Sequence, residues 1–113
     1  MIYLMNSAVM PSGNYGTYRY SPATLDDLRA VVRAERGEWT SCLGYPQNAE
    51  LVERWVGIRP PINRVETRFA PGDSAIGMRL RYRADPQRSK GAPVSANAAD
   101  WEFAWVHFVG PPT

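Results

Sequence analysis

Two stretches of helical periodicity, each punctuated at both ends, interrupt a chain otherwise patterned for strands, and no other feature constrains the fold as much. In the first, Thr24 offers an N-cap oxygen, Asp26 and Asp27 favour the positive end, and Leu25, Leu28, Val31 and Val32 make an apolar stripe that Gly37 closes. In the second, 44-GYPQNAELVERWVG-57, Pro46 stands at the first helical position, Leu51, Val52, Trp55 and Val56 form the inner face, and Gly57 is placed as the C-cap. Each amphipathic helix needs an apolar surface to cover, and the strand-like segments supply it.

Those segments are short. Ile2 to Met5 is an apolar run that ends in Asn6-Ser7, as a buried strand entering a loop would. Pro11 to Gly16 has loop chemistry, Thr17 to Tyr20 alternates, and Trp39 to Leu43 reads as a strand between the helices. Arg64 to Phe69 and Ile76 to Arg83 pattern as a hairpin pair around Pro71-Gly72-Asp73. Ala84 to Ala99 is polar and reads as a long mobile loop, and Trp101 to Val109 is a closing aromatic strand. The expected order β, β, α, β, α, β, β, β gives an α/β (α+β) domain: a mixed, mostly antiparallel sheet of about five to six strands flanked by two helices. With 113 residues, 44% of them hydrophobic, one domain over 1–113 has room for one modest core.

Composition removes several function classes. The single cysteine, Cys42, has no internal disulfide partner, and with His107 alone it makes no zinc cluster, so neither a metal nor a cofactor is expected. Apolar runs are only a few residues long and no basic leader precedes one, which predicts a soluble, unsecreted protein without a membrane partner. Net charge is only +2, yet Lys90 is the sole lysine among 13 basic residues. Arginine forks match phosphate and stack on bases, although arginine bias also arises from GC-rich coding. His107 shares a strand face with Trp101, Phe103, Trp105 and Val109, so it reads as a packed or interface residue, and that apolar row as a subunit interface. No Ser-His-Asp grouping, phosphate-loop glycines or paired-carboxylate spacing is visible.

Asn6 after the first strand, Leu43-Gly44 before the Ala-Glu-Leu helix, Leu51 to Gly57, Asn63-Arg64, Pro71-Gly72-Asp73, Arg83 and Trp101-Glu102-Phe103 follow one another in a familiar order and spacing. In these the chain resembles the viral anti-CRISPR ring nucleases, a family of small proteins from archaeal viruses and phages. The resemblance implies a homodimer, with higher assembly left open, whose two-fold axis passes through a pocket for a cyclic tetra-adenylate second messenger. By position, Asn6, Gln47, Asn48, Arg64 and Arg83 would line that pocket. Free N–H groups at a helix N-terminus and two arginines per subunit suit such an anion on physical grounds as well.

Where the resemblance breaks down, it is at the chemistry. Family nucleases place a catalytic His directly after the Gly that opens the second helix, and here that residue is Tyr45. Their Glu following the hairpin-strand Arg falls at Pro86 or, with a one-residue slip, at Asp85. A phenol, with its reference pKa near ~10, is a poor neutral-pH acid or base, and proline has no side-chain proton to exchange. Tyr45 suits stacking on a purine instead. The expected function is therefore an anti-defence protein in the host cytoplasm that binds and sequesters a cyclic nucleotide signal, whether cyclic oligoadenylate, cyclic dinucleotide or cyclic ADP-ribose. The alternatives are a metal-independent ring nuclease assisted by Tyr45 or Asp85, and an interaction module that contacts a host protein or nucleic acid through its arginines.

Overall fold

Ile2–Leu4 (β1) is a three-residue strand that other strands pair on both sides, and the remaining elements are placed by it. A computed structural model describes residues 1–7, 9, 11, 13–35, 37–81 and 95–112. The elements that follow β1 are Thr17–Ala23 (β2), Leu25–Arg33 (α1), Trp39–Ser41 (β3), Pro46–Val56 (α2), Ser74–Leu80 (β4), a 3₁₀ turn at Ala98–Asp100, and Trp101–Gly110 (β5). They form one five-stranded sheet in the order β2-β5-β4-β1-β3. β1 runs parallel to β3 and β4 over three paired residues each, whereas β5 runs antiparallel to β4 and β2 over seven each. The sheet is mixed and its paired length is mostly antiparallel, as expected, and two helices cover it.

Both helices obey their caps. Thr24 Oγ1 accepts from Asp27 N at 3.1 Å and Asp27 Oδ2 accepts from Thr24 N at 2.9 Å, a reciprocal capping box. Gly57 closes α2 in the left-handed region at φ 85°. The end of α1 differs from expectation: the helix stops at Arg33, and Gly37 belongs to the turn that follows. Trp39 Nε1 donates to the Ala34 carbonyl at 3.2 Å, so an indole from β3 satisfies one of the acceptors at the helix end.

Arg64 to Phe69, expected as a strand, is not one. Both edges of β4 are already taken, by β1 and β5, so no hairpin partner is needed. Asn14 occupies the segment's backbone instead: its Oδ1 accepts from Phe69 N at 2.6 Å and its Nδ2 donates to Phe69 O at 3.4 Å. The Pro71-Gly72-Asp73 turn survives, with Gly72 at φ 92° and Asp73 N donating to Ala70 O at 2.9 Å. The Ala84 to Ala99 loop expectation falls mainly outside the described residues. Within its described end, Ser95 Oγ donates to Asp100 Oδ2 and Asn97 Oδ1 accepts from Ala99 N.

The strict alternation of β5 feeds two cores. Trp101 and Phe103 join Leu4, Ile76 and Met78 under the helices, where Leu28, Val31, Val32, Leu51, Val52 and Val56 meet them. Val106 and Phe108 face the other way and pack with Ala75 and Phe69, flanked by Tyr3, Met5 and Tyr18. The aromatic row expected as a subunit interface is thus largely internal: Trp101 and Phe103 lie edge-on to Trp55 of α2, and Trp105 Nε1 donates to Asp27 of α1. Only Val109 remains exposed. Burial of each such side chain contributes roughly 1.5–3 kcal/mol.

Two measurable consequences follow. Gly16 passes so close to β5 that an added Cβ would lie 2.2 Å from the Gly110 carbonyl oxygen and 2.9 Å from the Phe108 ring. Gly16→Ala is expected to destabilise the fold by about 1–3 kcal/mol in urea denaturation, the usual cost of overpacking. The Thr24 N–H, helped by Trp105 and the Thr24 hydroxyl, holds the Asp27 carboxyl below its ordinary pKa. That stabilisation is complete above the ordinary aspartate pKa of about 4 and is lost as pH falls through the depressed one. The stability gap between wild type and Asp27→Asn should therefore close during acid titration and stay constant from pH 5 to 7.

Candidate functional site

The parallel pairing of β1 with β3 brings their C-terminal ends together beside the start of α2, and four of the predicted residues, Asn6, Asn48, Tyr45 and Arg64, meet there. Asn6 lies two residues beyond β1, and Asn48 is the third residue of α2. Their amides pair, Asn48 Nδ2 donating to Asn6 Oδ1 at 2.9 Å. This bond leaves Asn6 Nδ2 as donor and Asn48 Oδ1 as acceptor.

A strap from α2 brings up the arginine. Pro60 is fully buried, Ser41 Oγ donates to Pro61 O at 2.6 Å, and Asn63 donates twice to the β3 segment, through N to Leu43 O at 2.8 Å and through Nδ2 to Ser41 O at 3.0 Å. Arg64 follows immediately, and its Nε donates to Gly44 O at 2.6 Å. Its guanidinium carbon lies 5.9 Å from the Tyr45 ring centroid, within cation–π range. Tyr45 is the N-cap residue of α2 in backbone terms only, since its side chain makes no cap bond, and it is 60% exposed.

The helix N-terminus is less open than expected. Pro46 has no N–H, and Asn48 N and Ala49 N both donate to the Tyr45 carbonyl. Gln47 is left with the one first-turn amide that no described residue accepts, and its side chain is exposed. A groove of about 320 Å³ adjoins Asn6, walled by Met5, Ser7, Cys42, Val65 and Thr67. Arg83 and Asp85 lie outside the described residues.

Gly44 and Asn63 entered the sequence reading only as parts of the resemblance and Ser41 not at all, because their supporting contacts are non-local and carry no periodic signal. Sequence reasoning also missed a Ser–His contact: Ser74 Oγ and His107 Nδ1 are 3.0 Å apart. That pair sits at the other end of the sheet, where β1 begins, and the neighbouring Asp73 carboxylate is engaged by the Met1 ammonium and Ala70 N. Among the described residues, no three His, Cys, Asp or Glu side chains come together as a metal-binding group. No helix among them is long and apolar enough to cross a membrane.

Comparison with known proteins gives three findings. Residues 2–93 match the model of a family described as STIV B116-like. The uncharacterized protein ORF117 of Acidianus two-tailed virus is 24% identical over 84 residues, covering 74% of this chain and 72% of that protein. Among solved structures, B116 of Sulfolobus turreted icosahedral virus superposes with a TM-score of 0.68 at 19% identity, covering 94% of this chain and 97% of the other. At that identity the likeness is one of fold.

Asn48→Ala should lower stability by about 1 kcal/mol through loss of the amide pair. Chemical denaturation of Asn48→Ala, Asn6→Ala and the double variant checks this: the double variant should cost clearly less than the sum of the two single ones.

Proposed function

We propose, since this chain belongs to the STIV B116-like family, that it is a viral protein that binds a cyclic nucleotide signal of host defence and withholds it in the host cytoplasm. The observation that carries this reading is the pairing of Arg64 with Tyr45. A guanidinium whose two terminal nitrogens meet no acceptor among the described residues stands beside an exposed aromatic ring. Those two groups side by side suit a phosphate and a base, the fork for the anion and the ring for the purine. The Asn6–Asn48 amide pair nearby adds one donor and one acceptor for a base edge or ribose hydroxyl.

The same site is poor in catalysts. His107 is bonded to Ser74 at the far end of the strands, and Glu66 in the adjoining groove is ion-paired with Arg68 at 3.2 Å. Asparagine, arginine and tyrosine bind a phosphodiester without an obvious means of delivering a proton at neutral pH. Retention without turnover is the chemistry such a set favours. In this reading two copies face each other, so a ring with repeated phosphates meets each contact twice.

The experiment offers cyclic oligoadenylates, cyclic dinucleotides and cyclic ADP-ribose by titration calorimetry, then heat-denatures the complex and identifies what is released. Intact ligand in stoichiometric amount is expected. Linear fragments would assign a ring nuclease instead, and binding of none of the three classes would leave an interaction module. With a duplicated contact of roughly 1.5–3 kcal/mol each, Arg64→Ala should weaken binding by at least about a hundredfold. Arg29, held by Asp26 on α1, is the control, and Arg29→Ala should change affinity less than about twofold.

A further inference from the structure

Arg64 reaches its place across a glycine. Gly44 has no left-handed torsion to explain its lack of a side chain. The explanation is a close passage: a Cβ there would lie 3.3 Å from Arg64 Cγ and 3.9 Å from both Cδ and Nε. The arginine stem therefore lies flat on the 44 peptide, with Nε donating to its carbonyl at 2.6 Å and the guanidinium beside Tyr45. These contacts occupy the Nε–H edge and engage the ring. What is left is the edge that carries the two terminal nitrogens. The Tyr45 hydroxyl makes no hydrogen bond to any described residue, so the ring is the part of this side chain in use.

We propose that Gly44 and Tyr45 are positioning residues for Arg64, fixing its guanidinium so that the two terminal nitrogens grip one phosphodiester anion end-on. Tyr45 holds the arginine with one face of its ring, leaving the other face for the base, and its hydroxyl takes part in neither. The proposal deepens the nucleotide-binding reading and rests on it for the identity of the anion. The side-on fork, which would need Nε, is closed because Nε–H is already spent on Gly44. An arginine held in advance loses less rotamer freedom on binding than a free one, which is how positioning adds affinity beyond any direct contact with the ligand. Lysine cannot substitute, having neither the planar fork nor an Nε–H to anchor.

The test has one arm without ligand and one with it. In the free protein, solvent exchange of the Arg64 Nε–H is followed by nitrogen-15 NMR, with exposed Arg19 as internal reference. Wild type and Tyr45→Phe should exchange roughly fivefold more slowly than Arg19, the protection one modest hydrogen bond gives. Gly44→Ala and Tyr45→Ala should lose that protection while keeping the wild-type thermal midpoint within a few degrees, because Gly44 meets only a flexible stem and Tyr45 makes no cap bond. In the second arm cyclic tetra-adenylate is the titrant: Tyr45→Phe should bind within about twofold of wild type, and Tyr45→Ala, Gly44→Ala and Arg64→Lys about tenfold or more weakly. Arg64 exchanging as fast as Arg19 in wild type overturns the proposal, as does Tyr45→Phe losing as much affinity as Tyr45→Ala. Protection of Arg64 with no binding of cyclic tetra-adenylate, cyclic dinucleotide or cyclic ADP-ribose supports the positioning role and rejects the nucleotide reading.

Discussion

Three residues, Ile2 to Leu4, join the edge strand β3 to the rest of this sheet. β1 is paired along both edges, to β3 on one side and β4 on the other, and both pairings are parallel. Parallel pairing puts strand ends of the same kind side by side, so the C-terminal ends of β1 and β3 open onto the same rim. Asn6 and the Gly44-Tyr45 turn reach that rim because of it, and the strap from Pro60 to Asn63 adds Arg64 from a segment that belongs to no strand. In an antiparallel arrangement of β1 and β3, Asn6 and the start of α2 would have stood at opposite ends.

Much of that architecture was legible in the residues. Thr24, Pro46 and Gly57 act locally, each on backbone groups a few positions away, and the structure uses all three as their chemistry suggests. Period-two alternation in Trp101 to Val109 correctly divided the strand's faces, but it could not say what covers them. The row that read as an interface is covered by α1 and α2, since an apolar stripe looks the same whether its partner is another subunit or the chain's own helix. Arg64 to Phe69 misled for a related reason. Its pattern suits a strand, but β4 had no free edge, and the amide of Asn14, 55 residues away, supplies the missing hydrogen bonds.

The candidate site divides along the same line. Asn6, Asn48, Tyr45 and Arg64 were reached through resemblance and position, and the structure brings them to one rim, with Gln47 exposed at its side. The supporting residues were not legible, because Ser41, Asn63 and Gly44 act through contacts about 20 residues apart in sequence. Gly44 in particular read only as the residue that opens the second helix. Its role is set by a side chain that passes over it, and only the folded chain shows that passage.

The strap has a second effect, on how the sheet can grow. β3 is an edge strand, and an open edge is a template for another chain's backbone. Asn63 already takes the carbonyls of Ser41 and Leu43, and the stiff Pro60-Pro61 pair lies alongside with no N–H to offer. At the other edge, Pro22 removes a donor from β2. A neighbouring copy therefore finds little backbone ladder to extend at β3, and association there has to be negotiated through side chains. Contacts made through side chains tolerate small rotations that a continuous ladder would forbid.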